Sequence, residues 1–249
     1  MTKDKLPIKA TFIQAASLPM RQYRAFIKVG APLIIAGTIL MVFSHFYSIS
    51  EEESVGFLVV FILLWIIFIL SLLMSIVGVH RIIILGYETI QDNKLLNWTG
   101  NELEYGTWWV LLGILIGIIY LPFLWLIFAI DEATVNQDTL FYSAIVYVIG
   151  IPAYYVMSRW SMVLPACAVG MHAKTPAWSW RISTGNGWRL TLLVGLPPIT
   201  TEILLNLYPD SESLFFSLLS GATWLILGVI EIGLLSLSYS FLANSSGAE

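Results

Sequence analysis

Charge is scarce in this chain: of 249 residues only 11% are Asp, Glu, Lys or Arg, against about 25% in ordinary soluble domains, while 58% are hydrophobic. A soluble domain of this length could not bury that much apolar surface. Cysteine is nearly absent, and the lone Cys167 excludes an intramolecular disulfide and a thiolate-rich metal site. The three histidines, His45, His80 and His172, lie far apart, none at the spacing of a helical ligand pair, so no metal centre is implied. There is no H-E-x-x-H, no G-x-S-x-G and no Walker loop. A net charge of −4 and a pI near 5.4 argue against nucleic acid, whose binders carry a basic face. No motif names a reaction or a cofactor.

What the chain has is apolar length. Its mean hydropathy is +0.83, it holds 10 Trp, 11 Tyr and 13 Phe, and its apolar residues fall in blocks near 20. A hydrocarbon core about 30 Å thick needs about 20 helical residues, so these blocks read as spanning helices. Six qualify, at about 29–47, 55–79, 107–130, 140–158, 188–208 and 214–235. The fifth is the weakest, being interrupted by Pro197, Pro198, Glu202 and Asn206. The expected fold is an all-α integral membrane protein with a six-helix domain at 29–243, an interfacial amphipathic segment at 1–28 and a short tail at 244–249.

Orientation follows from the connections. Loops 50–54, 131–138 and 209–213 carry Asp and Glu and no Lys or Arg, whereas the N-terminal segment and the stretches 80–106 and 159–189 hold all 12 basic residues. Cytoplasmic loops retain Lys and Arg, which places both termini in the cytoplasm of a bacterial inner membrane. The lipid bilayer is the implied partner. No soluble domain fits in loops this short.

The basic-side segments carry local signals. Residues 8–28 mix Phe12, Ile13, Met20, Tyr23 and Ile27 with Lys9, Arg21, Arg24 and Lys28, as for a helix lying in the interface, with Pro19 expected to break it. The second apolar run extends through His80 and Arg81 to Leu85, about 31 residues. Thr99-Gly-Asn-Glu102 offers a capping box, and Trp98, Trp108 and Trp109 suit an interfacial belt. The run 160–170 is too apolar for a cytosolic loop and is expected to stay in the interface or re-enter the bundle. Thr175-Pro176 then starts a short helix carrying Trp178 and Arg181, which Gly185-Asn186-Gly187 stops.

Arg159-Trp-Ser-Met-Val-Leu-Pro-Ala166, followed by Trp178-Ser-Trp-Arg-Ile-Ser-Thr-Gly-Asn186, Trp188-Arg189-Leu190, and earlier by His80-Arg81 with Leu85-Gly86, resembles a broad group of uncharacterised bacterial multi-pass inner-membrane proteins. That group is distantly similar to the membrane domain beside some glycerophosphodiester phosphodiesterases, whose hydrolase domain is absent here. The resemblance covers about residues 75–195 and implies a membrane module with no catalytic role to carry over.

Intramembrane charges are candidates by default, because each is costly at mid-membrane. Counting along the spans puts Arg159 and Glu231 at one depth near the inner boundary, and His45 and Glu202 at one depth near the outer boundary. The first two read as a structural pair. Glu202 beyond Pro197-Pro198 reads as a hint of an ion or proton path. The expected function is a non-catalytic inner-membrane protein of envelope organisation or a membrane-protein complex, with the segment from Arg159 to Arg189, including Trp178, Arg181 and Asn186, as its most specific surface. The alternative is a small-solute or ion transporter using Glu202.

Overall fold

The computed structural model describes residues 4–49, 55–88, 98–134, 139–172, 174–205 and 213–246, and among these there is no β-strand. The helices are α1 (Ile8–Arg21), α2 (Tyr23–Ile49), α3 (Val55–Leu85), α4 (Gly100–Thr134), α5 (Thr139–Trp160), α6 (Val163–Ala168), α7 (Pro176–Ile182) and α8 (Gly187–Leu190), then a π-helical turn (Thr191–Gly195), α9 (Pro197–Leu205) and α10 (Leu214–Ser246). Four of them, α2, α3, α4 and α10, are long and apolar enough to cross a membrane. The acidic connections 50–54 and 209–212, Lys94 and the last three residues lie outside the described residues.

Four such helices stand among the described residues where six spans were expected. The fifth expected span is divided into α8, the π-turn and α9. Proline at 197 and 198 supplies no N–H to the turn before it, and the backbone there bonds five residues back, Leu196 N–H to Thr191 O at 2.9 Å. The other helices overrun the hydrocarbon estimate: α3 has 31 residues, α4 35 and α10 33. The expected tail therefore begins inside α10. The expected break at Pro19 is also displaced, because Pro19 sits within α1 and the chain turns at Gln22, whose N–H still reaches Leu18 O. The 1–28 segment thus comprises α1 and the first turns of α2.

Packing is concentrated at one end. α2 and α3 form a hairpin, drawn close where Ser75 Oγ donates to Val29 O at 3.1 Å and where Gly78 faces Val29 with no room for a side chain. α10 packs on α3 and along α1, with Gly233 against Ala15 and Leu18. α6 is buried throughout, between α3, α4 and α10, so the apolar run after Arg159 does re-enter the bundle. One core joins Leu6, Ala15, Val77, Tyr105, Met162 and Leu242, which brings the residues before α1 and the last turns of α10 to the same end of the bundle. Because the described basic residues of 80–106 and 159–189 cluster here, we term it the basic end. Towards the opposite end the long helices present Leu, Ile, Val and Trp outward, for example Leu58, Ile66, Ile114 and Ile118. Such a surface suits lipid.

Candidate functional site

The basic end is held by polar side chains that are themselves buried. Arg81, near the end of α3, donates from Nε to Ala168 O at 2.8 Å, from Nη2 to Thr99 Oγ1 at 2.9 Å, and from Nη1 to Glu102 Oε1 at 3.1 Å. Glu102 Oε2 in turn accepts from Thr99 N–H at 2.7 Å and from Thr99 Oγ1 at 2.6 Å. This is the reaching-back half of the capping box expected at Thr99, with its carboxylate also neutralising Arg81. One side chain thereby ties α3, α4 and α6 together. His80, fully buried on α3, contacts Ser236 Oγ of α10 through Nδ1 at 2.7 Å and the Tyr105 hydroxyl of α4 through Nε2 at 3.2 Å.

Arg159 closes a second lock. Its Nε donates to Ser183 Oγ at 2.9 Å, Nη1 to the Tyr155 hydroxyl at 3.2 Å and Nη2 to Trp180 O at 2.6 Å, and the guanidinium lies 3.6 Å from the Trp180 ring centre. Ser179 Oγ donates back to Arg159 O. The end of α5 and all of α7 are thus one unit. The expected Arg159–Glu231 pair does not form: Glu231 accepts from Thr201 Oγ1 of α9 instead. Equal depth along two helices did not make them neighbours.

The helix at Thr175-Pro176 forms as expected. Thr175 Oγ1 accepts from Trp178 N–H at 3.2 Å, Pro176 opens the first turn, and Gly185, at φ +86°, ends the turn that follows α7. Trp178 packs towards Tyr239 of α10, with Lys174 Nζ 4.9 Å from its ring centre, while Arg181 is exposed. Asn186 does more than make a turn. Nearly buried, it accepts from Leu6 N–H at 2.8 Å and donates to Asp4 O at 3.1 Å, and Arg189 donates to Leu6 O at 2.7 Å. The first described residues are strapped onto the 186–189 turn. Arg159 and Asn186, expected on a docking surface, therefore face inward; Trp180, Trp188 and Leu192 remain outward.

Cys167 on α6 is buried, its thiol 3.7 Å from Glu104 Oε1, while Glu104 Oε2 lies 2.6 Å from His172 Nδ1. Burial, reinforced by the Glu104 carboxylate, pushes the Cys167 thiol up to about 12. It stays protonated at neutral pH, the reverse of an activated nucleophile. No group of three or more His, Cys, Asp and Glu among the described residues could hold a metal ion.

At the opposite half, where the core ends, α2, α3 and α10 border a half-open cavity of about 880 Å³. Leu33, Gly37, Trp65, Phe68, Trp224 and Leu225 line it, with Thr38, Ser44, His45, Ser217 and Ser220 as its polar groups. His45 is thus on the wall; Glu202 is exposed on α9, which contributes Leu205 instead. No pattern in the sequence marks this cavity, which depends on how three helices pack against one another. No family profile, curated protein or solved structure matches the chain. Geometry alone carries the functional reading.

Proposed function

We propose that the protein is a non-catalytic, multi-pass protein of a bacterial inner membrane, whose role is to hold another membrane component against its open half. The reading is supported above all by how its polar groups are used: Arg81, Glu102, His80, Arg159 and Asn186 are engaged in holding helices together, and the cavity between α2, α3 and α10 is mostly apolar. In this reading the chain crosses six times, α5 and the broken α8–α9 segment being the two shorter crossings, with both termini and the basic end in the cytoplasm. A reporter active only outside the cytoplasm is expected to be active when fused after Asp131 and silent after Lys174. The reverse pattern would overturn the orientation.

A transporter is the second reading, favoured by the π-turn and paired prolines, since interrupted helices line paths through membranes. Glu202 is then its coupling group. Glu202→Gln should abolish coupled uptake of a solute or ion with insertion unchanged, and normal uptake would remove Glu202 from that role.

A further inference from the structure

We propose that the corner between α1 and α2 holds an anionic phospholipid of the leaflet at the basic end, its phosphate between Arg21, Arg24 and Lys28 and its chains along the outer face of α2; this rests on the membrane-spanning reading above. α1 ends at Arg21 and α2 begins at Tyr23. Arg21 and Arg24 are exposed and Lys28 is half-buried. The corner lies at the basic end, because the residue after Lys28, Val29, packs against Ser75 and Gly78 of α3, and Phe26 packs with Val79 and Ile82.

Among the described residues no carboxylate neutralises these three charges. α1 and α2 contain no Asp or Glu. The ion pairs of the described residues are Arg81–Glu102 and His172–Glu104, and Glu88, just beyond α3, pairs with none of the corner cations. Arg24 is nonetheless braced: its Nε donates to the Tyr23 hydroxyl at 3.0 Å, and its guanidinium lies 5.7 Å from the Tyr23 ring centre. That bond leaves the two Nη groups to grip a phosphate as a fork. A headgroup with net negative charge is drawn to such a cluster, whereas one whose own ammonium cancels its phosphate gains far less.

Apolar side chains continue the site into the hydrocarbon. Met20, Tyr23 and Ile27 are exposed beside the cations, Met20 to 80%. Along α2, Arg24, Lys28, Ile35 and Ile39 follow one another at spacings of four, seven and four residues, which puts them on one face of the helix. Ile35 and Ile39 are 61% and 49% exposed. From Lys28 to Ile39 this face runs about 16 Å at 1.5 Å per residue, roughly half of a core about 30 Å thick. That is the depth one leaflet offers an acyl chain. Cations set at the head of an apolar face of this length match a phospholipid rather than a soluble phosphate.

The test uses the full chain in nanodiscs made from equal parts phosphatidylglycerol and phosphatidylethanolamine, released into native mass spectrometry. Retained phosphatidylglycerol is expected at least fivefold over phosphatidylethanolamine. Arg24→Gln with Lys28→Gln should cut that preference at least fivefold, and Lys174→Gln with Arg181→Gln, which removes the same charge beside and on α7, should leave it unchanged. Arg21→Gln with Lys28→Gln serves the same purpose should the first pair lower the yield of folded protein. Glycerol phosphate in excess should not displace the lipid, having no chains to lie along Ile35 and Ile39. Retention that follows the mixing ratio, persists in the corner variants, falls equally in the α7 pair or yields to glycerol phosphate would overturn the proposal. Alkaline carbonate washing separates the two failures: a chain that washes off the membrane removes the spanning reading, whereas one that stays and retains no lipid selectively removes only this site.

Discussion

Arg159 shows how far a single residue can be read before packing is known. Its position along α5 was legible, because height follows from residue count, but the direction it faces was not, and the guanidinium turned to α7 rather than to Glu231. Its loss takes the charged donor from Ser183 Oγ and from the Trp180 carbonyl, which keeps only the hydroxyls of Ser183 and Thr184. Arg159→Ala should cost on the order of 3 kcal/mol, and thermal unfolding in detergent should show a midpoint lower by roughly 6–12 °C at about 2–4 °C per kcal/mol. Arg159→Lys should recover little of this, since a compact ammonium cannot hold three acceptors and stack on Trp180. Cys167 gives a prediction in pH. Its thiol titrates at about 12 in the folded chain against an ordinary value of 9.0, so between these limits the unfolded chain binds fewer protons and stability falls as pH rises. Denaturant titrations at pH 8 and pH 10 should show a loss that is smaller in Cys167→Ala; an equal loss would place the effect elsewhere.

Short elements followed their local signals closely. Thr175-Pro176 and Gly185 set the start of α7 and the turn behind it as the sequence implies, because caps and positive-φ glycines act within a few residues. Thr175→Ala should cost about 1 kcal/mol, measurable as a small drop in the same thermal midpoint. Long elements were less legible. Hydropathy marks the part of a helix that suits hydrocarbon, and α3, α4 and α10 continue past it where Arg81, Glu102 and Ser236 find partners. The strap at Asn186 had no signal in the sequence, since its partners are the backbone of Asp4 and Leu6, roughly 180 residues away. Asn186→Ala leaves the buried Leu6 N–H without its acceptor. Hydrogen exchange at residues 4–8 should accelerate at least tenfold, with the amides of α3 unaffected; an unchanged rate would show that Arg189 alone holds the strap.

At the scale of the molecule, one end is a lock and the other an opening. Burial, hydrogen bonds, Leu6 and the last turns of α10 gather at the basic end, and apolar side chains face outward over the rest. The all-helical class was legible from block length, while the cavity depends on how three helices pack together, which no single helix encodes. Because Leu6 and Leu242 belong to one core, fluorescent proteins fused to the two termini should exchange energy efficiently in intact cells. Weak transfer with normal insertion would contradict the shared end.

The packing of α1 against α10 also orders the birth of the protein. Ala15 and Leu18 leave the ribosome early, and Gly233, the surface they close upon, follows roughly 200 residues later. At about 5–20 residues per second that is a wait of roughly 10–40 s. Through it α1 must rest elsewhere, and its exposed Phe12, Ile13 and Met20 beside Lys9 and Arg21 suit it to the bilayer surface. A ribosome that stalls before Gly233 would release a chain whose first helix never finds its seat, giving cellular proteolysis a mark by which to recognise unfinished copies.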